Sequence, residues 1–372
     1  MVETEVQILG HMSTKISVFT PIQSEYWKRE FGENVAVSEF DSKSILNSIK
    51  QKNATVVYVD EITLKKLENL KLPKDSIIGF LGTDENYNLS LNSSVLKANF
   101  IKFVLRPYPL YKFTLKKLTV TLFSNCYEFL LQKKFGKLKN FARWAIEGFG
   151  MTIRQSRIRK IEKKLGKHSV SIPLGYTDLF CRSFLKIFEQ LEFKNSKEKS
   201  LLRISANLEI CQLPKKYNFV FVGQKGHLVR QIGTFSAKKR KQSFILERSG
   251  YGAGEINSEE VQNNGMEYVN SLINSKFSVC PPGNISGNSY RIMESLICGS
   301  YPVVKDFVLC DPLFESPNKE LVLVRKPILW RSYLKKLEKA NSREIQRNIE
   351  INLDCEIKKM KEIKSFLESV EG

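Results

Sequence analysis

Apolar and polar positions alternate along this chain in a pattern that changes period every few residues. Ile16-Ser-Val-Phe19 reads as a strand, Ser24 to Phe31 as a helix, Asn34 to Phe40 as a strand and Ser42 to Gln51 as a helix. Ala54 to Val59 is a continuous apolar run of the kind a fully buried strand shows. Glu61 to Leu70 is again helical, and Ile77 to Leu81 and Phe100 to Leu105 are further strands. Strands alternating with helices predict a parallel sheet built by crossover connections. A second alternation begins at Tyr217. It comprises strand Asn218 to Val222, a loop, a helix from about His227, strand Ser243 to Glu247, helix Glu259 to Asn274, strand Phe277 to Cys280, a Gly-rich loop, helix Tyr290 to Cys298 and strand Tyr301 to Val304.

From Trp330 onward the pattern is helical, with Leu334, Leu337, Ile345, Ile349, Leu353 and Ile357 on one face. A length of 372 residues fits two domains of roughly 150 to 200 residues each. The expected layout is an α/β protein with two Rossmann-like domains facing a cleft. Residues 1–210 form the first, 211–330 the second, and helices at 331–372 return across both.

Between the two alternations lies a segment of different character. Lys112 to Lys167 carries 15 basic and three acidic residues, so a net +12 of the chain's +20 sits there. Leu115, Leu118, Leu122 and then Ile158, Ile161, Leu165 recur at spacings of three and four, which predicts amphipathic helices with a basic face. Such helices bind anionic lipid through apolar burial plus about 1 kcal/mol per Lys or Arg near the surface. Lys133, Lys134, Lys137, Lys139, Arg154 and Arg157 are the candidate membrane or acceptor surface. A solvated face packed on its own domain is the other reading. No apolar run approaches the roughly 20 residues that span a bilayer, and the first twenty residues do not read as a secretory signal. A cytoplasmic protein, peripheral on the membrane face, is expected. The seven scattered cysteines read as reduced core thiols, and the sequons at Asn53, Asn88, Asn92 and Asn284 carry no weight without export.

The stretch from Asn274 to Val304 holds the candidate chemistry. It reads strand, loop, helix, turn, strand, and the loop from Gly283 to Ser289 feeds a helix whose first N–H groups and positive dipole end suit a diphosphate. Gly287 with small Ser286 and Ser289 would let the backbone approach closely, and Asn288 is a further donor-side candidate. Arg291 and Glu294 follow at i and i+3, where Arg291 would balance diphosphate charge and Glu294 would accept from both ribose hydroxyls.

These residues carry a resemblance. Ser275, Lys276, Phe277, Pro281, Gly283, Ser289, Arg291, Glu294, Gly299, Pro302 and Val303 match the C-terminal pattern of exostosin-like glycosyltransferases. Gly223 and Arg230 in FVGQKGHLVRQ, LGTDE at 81 to 85, VLRPY at 104 to 108 and IPLGY at 172 to 176 echo other segments of that family. The basic segment then reads as an insertion in the N-terminal domain, about 112–167, between VLRPY and IPLGY. The resemblance implies an inverting GT-B enzyme that takes sugar from a nucleotide donor in the C-terminal lobe to a glycan, polysaccharide or lipid-linked acceptor in the N-terminal lobe. UDP-sugars are expected before GDP-sugars.

The chain contains no Asp-x-Asp triplet, so no metal and no further cofactor is expected, and cations would compensate the leaving diphosphate: Arg230, Arg291, Lys225 and Arg248. His227 is a further donor-side candidate. An inverting transfer needs a base for the acceptor hydroxyl. Asp84 and Glu85, on a turn just past a buried strand, are the expected pair, with Asp60, Glu61 and Glu25 also placed after strands or turns. Two alternatives stand beside this reading. One is a GT-B transferase using a GDP-sugar, of fucosyl type. The other is a non-catalytic basic protein binding an anionic polymer or nucleic acid, which would leave the Arg291 and Glu294 pattern unexplained.

Overall fold

The computed structural model describes residues 16–21, 23–32, 35–51, 53–72, 78–81, 88–107, 138–190, 199–206, 209–224, 228–248, 259–281, 289–305, 323–324 and 330–370. Two parallel sheets dominate it. The first contains β1 (Ile16–Phe19), β2 (Val35–Ser38), β3 (Ala54–Tyr58), β4 (Ile78–Leu81), β5 (Ile101–Arg106) and β6 (His168–Ser171), in the order β2-β1-β3-β4-β5-β6. Helices α1 (Ser24–Phe31), α2 (Ser42–Lys50), α3 (Glu61–Asn69), α4 (Leu89–Lys97) and α5 (Leu138–Leu165) connect these strands. Short polar residues switch the chain from strand to helix. The carboxylate of Asp41 accepts from Ser44 N at 2.9 Å, that of Asp60 from Thr63 N at 2.7 Å, and the amide oxygen of Asn88 from Leu91 N at 3.2 Å.

The second sheet contains β7 (Tyr217–Gln224), β8 (Ser243–Arg248), β9 (Ser275–Val279), β10 (Tyr301–Lys305) and β11 (Leu323–Val324), in the order β11-β10-β9-β7-β8. Its helices are α8 (Leu228–Lys238), α9 (Glu259–Ile273) and α10 (Tyr290–Ile297). Between the sheets run α6 (Asp178–Gln190) and α7 (Leu201–Ala206), and α11 (Trp330–Leu337) and α12 (Ser342–Ser369) close the chain. One hydrophobic core joins both halves, running from Ile16, Val18 and Trp27 through Phe180 and Phe184 to Phe219, Phe277, Leu296 and Leu367. Gly265 on α9 makes this possible, because a Cβ there would strike Ser183 and Leu179 of α6. On the C-terminal helix α12, Phe366 packs edge-on against Phe103 of β5, 5.4 Å between ring centres. A second core covers the other face of the first sheet, with Ile45, Val57, Leu67, Val95, Val104 and Ile158.

Two expectations change. The sequence reading leaves out α4, α6 and α7. Leu89-Ser-Leu-Asn-Ser-Ser is rich in residues that favour caps over helix interiors, whereas α6 carries helical spacing at Phe180, Phe184 and Ile187. The basic helix α5 is also not a projection throughout. Its C-terminal half packs on the first sheet, with Ile158 fully buried and Glu162 bound to Arg106. Glu162 is one of only three acids in the basic stretch, and Arg106 holds it against the sheet. Among the described residues no helix is long and apolar enough to cross a membrane.

Candidate functional site

In the second sheet the chain leaves β7 for β8 on one side and later returns to β9 on the other. The crevice outside the carboxyl ends of β7 and β9 is therefore the switch point, where α/β sheets place ligands. Gly223 lies at the end of β7, and the loop after β9 delivers Ser289 and Arg291 to the same edge. The Arg291 guanidinium stacks on the Phe221 ring, 4.6 Å from its centre, and Nη2 donates to the Val222 carbonyl at 2.9 Å. A Cβ on Gly223 would come within 2.6 Å of that Nη2, and Gly223 holds a φ of +154°. This glycine is what lets the guanidinium lie on the strand end. Nη2 to Val222 is the one hydrogen bond the Arg291 guanidinium makes among the described residues, and its Nε is buried with no partner. Its remaining donors are unspent.

Glu294 goes elsewhere. Three residues turn a helix by about 300°, so Arg291 and Glu294 need not share a partner. The two make no ion pair, and instead of facing the cleft Glu294 is 4% exposed. Its Oε1 accepts from Thr177 N at 3.1 Å and from Thr177 Oγ at 2.9 Å, and its Oε2 accepts from Tyr268 OH at 2.8 Å. Burial pushes its carboxyl pKa up, against the opposing pull of the Tyr268 and Thr177 hydrogen bonds. The carboxylate thus ties α10 to α9 and to the chain entering α6.

Thr177 belongs to a seam in which successive residues have separate partners. The Leu174 carbonyl accepts from the Gln23 side chain. Gly175 adopts a φ of +78°, with a notional Cβ 2.8 Å from the Tyr26 ring. Tyr176 OH donates to Glu30 Oε1 at 2.8 Å. Asp178 caps α1 from a distance in sequence, accepting from Glu25 N at 2.9 Å and Ser24 N at 3.3 Å. The IPLGY stretch is therefore structural, and its glycine is required by backbone conformation and by the ring beneath it. Tyr290, at the start of α10, packs into the core of the first sheet that contains Phe19, Val57 and Leu174. Helix α10 thus begins against the core of the first sheet.

Arg230 stands in the first turn of α8, immediately after the loop that leaves β7. Asp84, Glu85, Lys225, His227, Gly287, Asn288, Lys133, Lys134 and Lys137 lie outside the described residues, and Lys139 and Arg248 are described in their backbone only. The alternative bases near the first sheet have other work. Asp60 caps α3, and Glu25 sits 3.3 Å from Arg29 Nε and 3.9 Å from Lys28 Nζ. On α5, Arg157 is exposed and Arg154 half-buried. Among the described cysteines, Cys181, Cys280 and Cys298 are buried thiols, and burial pushes Cys181 up to about 12. Asn92 is buried and hydrogen-bonded to Arg106, which suits a core residue and not a glycan acceptor. Among the described residues no three His, Cys, Asp or Glu side chains converge as a metal site.

Sequence reasoning missed Thr177 and Tyr268. Neither has a local signal, since each acts by reaching Glu294 from another element. It also left Arg106 as an echo without a role.

No curated protein matches this chain. Residues 204–368, which span the second sheet, the helix bearing Arg291 and Glu294, and nearly all of α12, match the family model described as the RXYLT1 C-terminal domain. The match supports an exostosin-like glycosyltransferase, on the same part of the chain where the Gly223 and Arg291 arrangement stands.

Proposed function

We propose that the protein is an inverting glycosyltransferase of GT-B type that moves a sugar from a nucleotide-sugar donor to a glycan, polysaccharide or lipid-linked acceptor. The observation that carries this reading is Arg291, a guanidinium with unspent donors held at the switch point of a parallel sheet. A diphosphate lying across the ends of β7 and β9 would take those donors, and its charge grows as the sugar departs. Arg230, Lys225 and Arg248 would add cations to the same leaving group without a metal. Residues 211–330 are then the donor side, 1–210 the acceptor side, and 331–372 the helices that join them.

Glu294 keeps one lone-pair position on Oε2 after its three hydrogen bonds. Buried away from the cleft, it would hold α10 in place rather than meet the ribose. Asp84 and Glu85 remain the proposed base on the acceptor side. The family's description as an exostosin-like xylosyltransferase puts UDP-xylose first among donors, ahead of UDP-hexoses and GDP-fucose. The exposed face of α5, with Arg157, Lys160, Lys163 and Lys164 beside Ile153 and Leu165, is the proposed contact with an anionic membrane surface.

A donor screen by thermal shift and by sugar-nucleotide hydrolysis tests the reading. Stabilisation and turnover with a UDP-sugar, lost in Arg291→Ala, is the expected result. Absence of any nucleotide effect combined with tight, salt-sensitive binding of duplex DNA would favour the non-catalytic binder instead.

A further inference from the structure

Away from the switch point, a cavity of about 280 Å³ opens where α1, the first turn of α7 with the two residues before it, and α12 meet. Its size falls just below the roughly 300–1,000 Å³ of pockets for drug-sized ligands, which suits a small ligand. Five cations line it: Arg29 from α1, Lys199 and Arg203 from the second element, Lys361 and Lys364 from α12. One carboxylate, Glu30, shares the wall, and it is already committed. Its Oε1 accepts from Tyr176 OH at 2.8 Å and Leu201 N at 3.0 Å, and its Oε2 from Ser200 Oγ at 2.6 Å. Among the described residues Lys361 and Lys364 form no ion pair, while their neighbour Lys359 pairs with Glu362 at 3.3 Å. Arg29 is aimed by Glu25 and by the Lys199 carbonyl, which takes Nη1 at 3.1 Å. Like charges drawn from three separate elements repel one another there, and a compact polyanion would turn that repulsion into attraction.

We infer that this cavity is a second binding site, distinct from the nucleotide crevice, for a ligand bearing two or more phosphate charges. Phosphate chemistry suits the lining, since guanidinium and ammonium groups share it and its one carboxylate among the described residues is committed. Occupancy would fasten α12, which follows the second sheet in sequence, to α1 of the first. A soluble diphosphate and a phosphorylated lipid headgroup share this chemistry.

The test titrates pyrophosphate into the full chain by calorimetry at low salt, with saturating UDP present and again in Arg291→Ala. Binding should persist in both conditions and weaken steeply as salt is raised. Lys361→Ser with Lys364→Ser should lower affinity at least about tenfold, given the strength of hydrogen bonds to charged groups, while UDP affinity holds. Arg203→Gln is the second, independent variant and should act in the same direction. Displacement of pyrophosphate by UDP, its loss in Arg291→Ala, or equal affinity in the lysine double variant would overturn the site. Vesicles containing phosphatidic acid, compared with phosphatidylcholine alone, identify the source. Pelleting that depends on Lys361 and Lys364 assigns a headgroup, and pyrophosphate binding without such pelleting assigns a soluble ligand.

Discussion

Arg106 and Arg291 make an instructive pair. Each stands at the carboxyl edge of its own parallel sheet, and each belongs to a segment that echoes the same family. Arg106 is 3% exposed and uses every arm of its guanidinium: Nε at 2.9 Å and Nη2 at 2.7 Å on Glu162 Oε1, and Nη1 at 3.0 Å on Asn92. Among the described residues the Arg291 guanidinium has one hydrogen bond, to the Val222 carbonyl, and a ring to lie on. The first has three of its five donors committed, is buried away from any crevice, and fastens a helix to a sheet. The second is held in place by its stem and one donor, with the others presented at a crevice. Position in the fold alone does not separate a structural arginine from a functional one; the number of committed donors does.

Arg106→Ala tests the structural half of this contrast and should have the largest effect. It strands the Glu162 carboxylate in the interior, for which a loss of about 3–5 kcal/mol in stability is expected by urea unfolding. Nucleotide affinity of the protein that remains folded should hold; a fall in affinity without a fall in stability would erase the distinction. Arg291→Ala should behave in reverse. Removing charge-assisted bonds to a departing diphosphate should lower kcat/KM by about 1.5–3 kcal/mol, with little change in melting temperature. Gly223→Ala should follow it in kind, because the new methyl displaces the same guanidinium.

Glu294 lies between these cases. Its pKa is raised in the folded protein, so its folded form holds a proton that its unfolded form releases above about pH 4.5. Its contribution to stability is therefore full below that value and is lost as pH rises through the higher, folded one. In Glu294→Gln that part of the pH dependence, at most about 1.4 kcal/mol per pH unit, should vanish from a series of unfolding curves. An unchanged profile would show the carboxylate to be exposed in solution. The smallest effects per residue belong to α5. Replacing Arg157, Lys160, Lys163 or Lys164 by Ser should weaken association with anionic vesicles by up to about 1 kcal/mol each and leave stability near normal. Equal association of wild type with neutral vesicles would reduce that face to solvation.

Much of the architecture was legible because buried parallel strands write themselves as apolar runs. Ala54 to Tyr58 and Tyr217 to Gln224 emerge within a residue or two of where pattern alone puts them, and α1 matches to the residue. The Gly223 and Arg291 arrangement was partly legible too, since a strand end, a Gly and a helix start mark a ligand crevice. The role of Glu294 was not. Spacing from Arg291 suggested a shared face, but its partner Thr177 lies 117 positions away, and no local rule reports a hydrogen bond across that distance. The packed half of α5 escaped for a related reason. Net charge counts fifteen bases and hides what a single acid, Glu162, does when a buried arginine waits for it.

The seam from Leu174 to Asp178 also bears on how this chain reaches its folded state. Its contacts join residues separated by 151, 146, 117 and 154 positions, for Gln23 with Leu174, Glu30 with Tyr176, Thr177 with Glu294, and Ser24 with Asp178. Contacts of such long range close late and slow the search, because loop-closure entropy comes before any reward. The same logarithm is lenient toward length, with each doubling of a loop adding only about 0.6 kcal/mol. The long basic stretch between β5 and β6 thus adds little to that closure. During synthesis, α1 emerges long before the Asp178 that caps it and the Tyr176 that meets its Glu30. The first sheet must wait, with Trp27 and Tyr26 uncovered, until a segment about 150 residues downstream arrives.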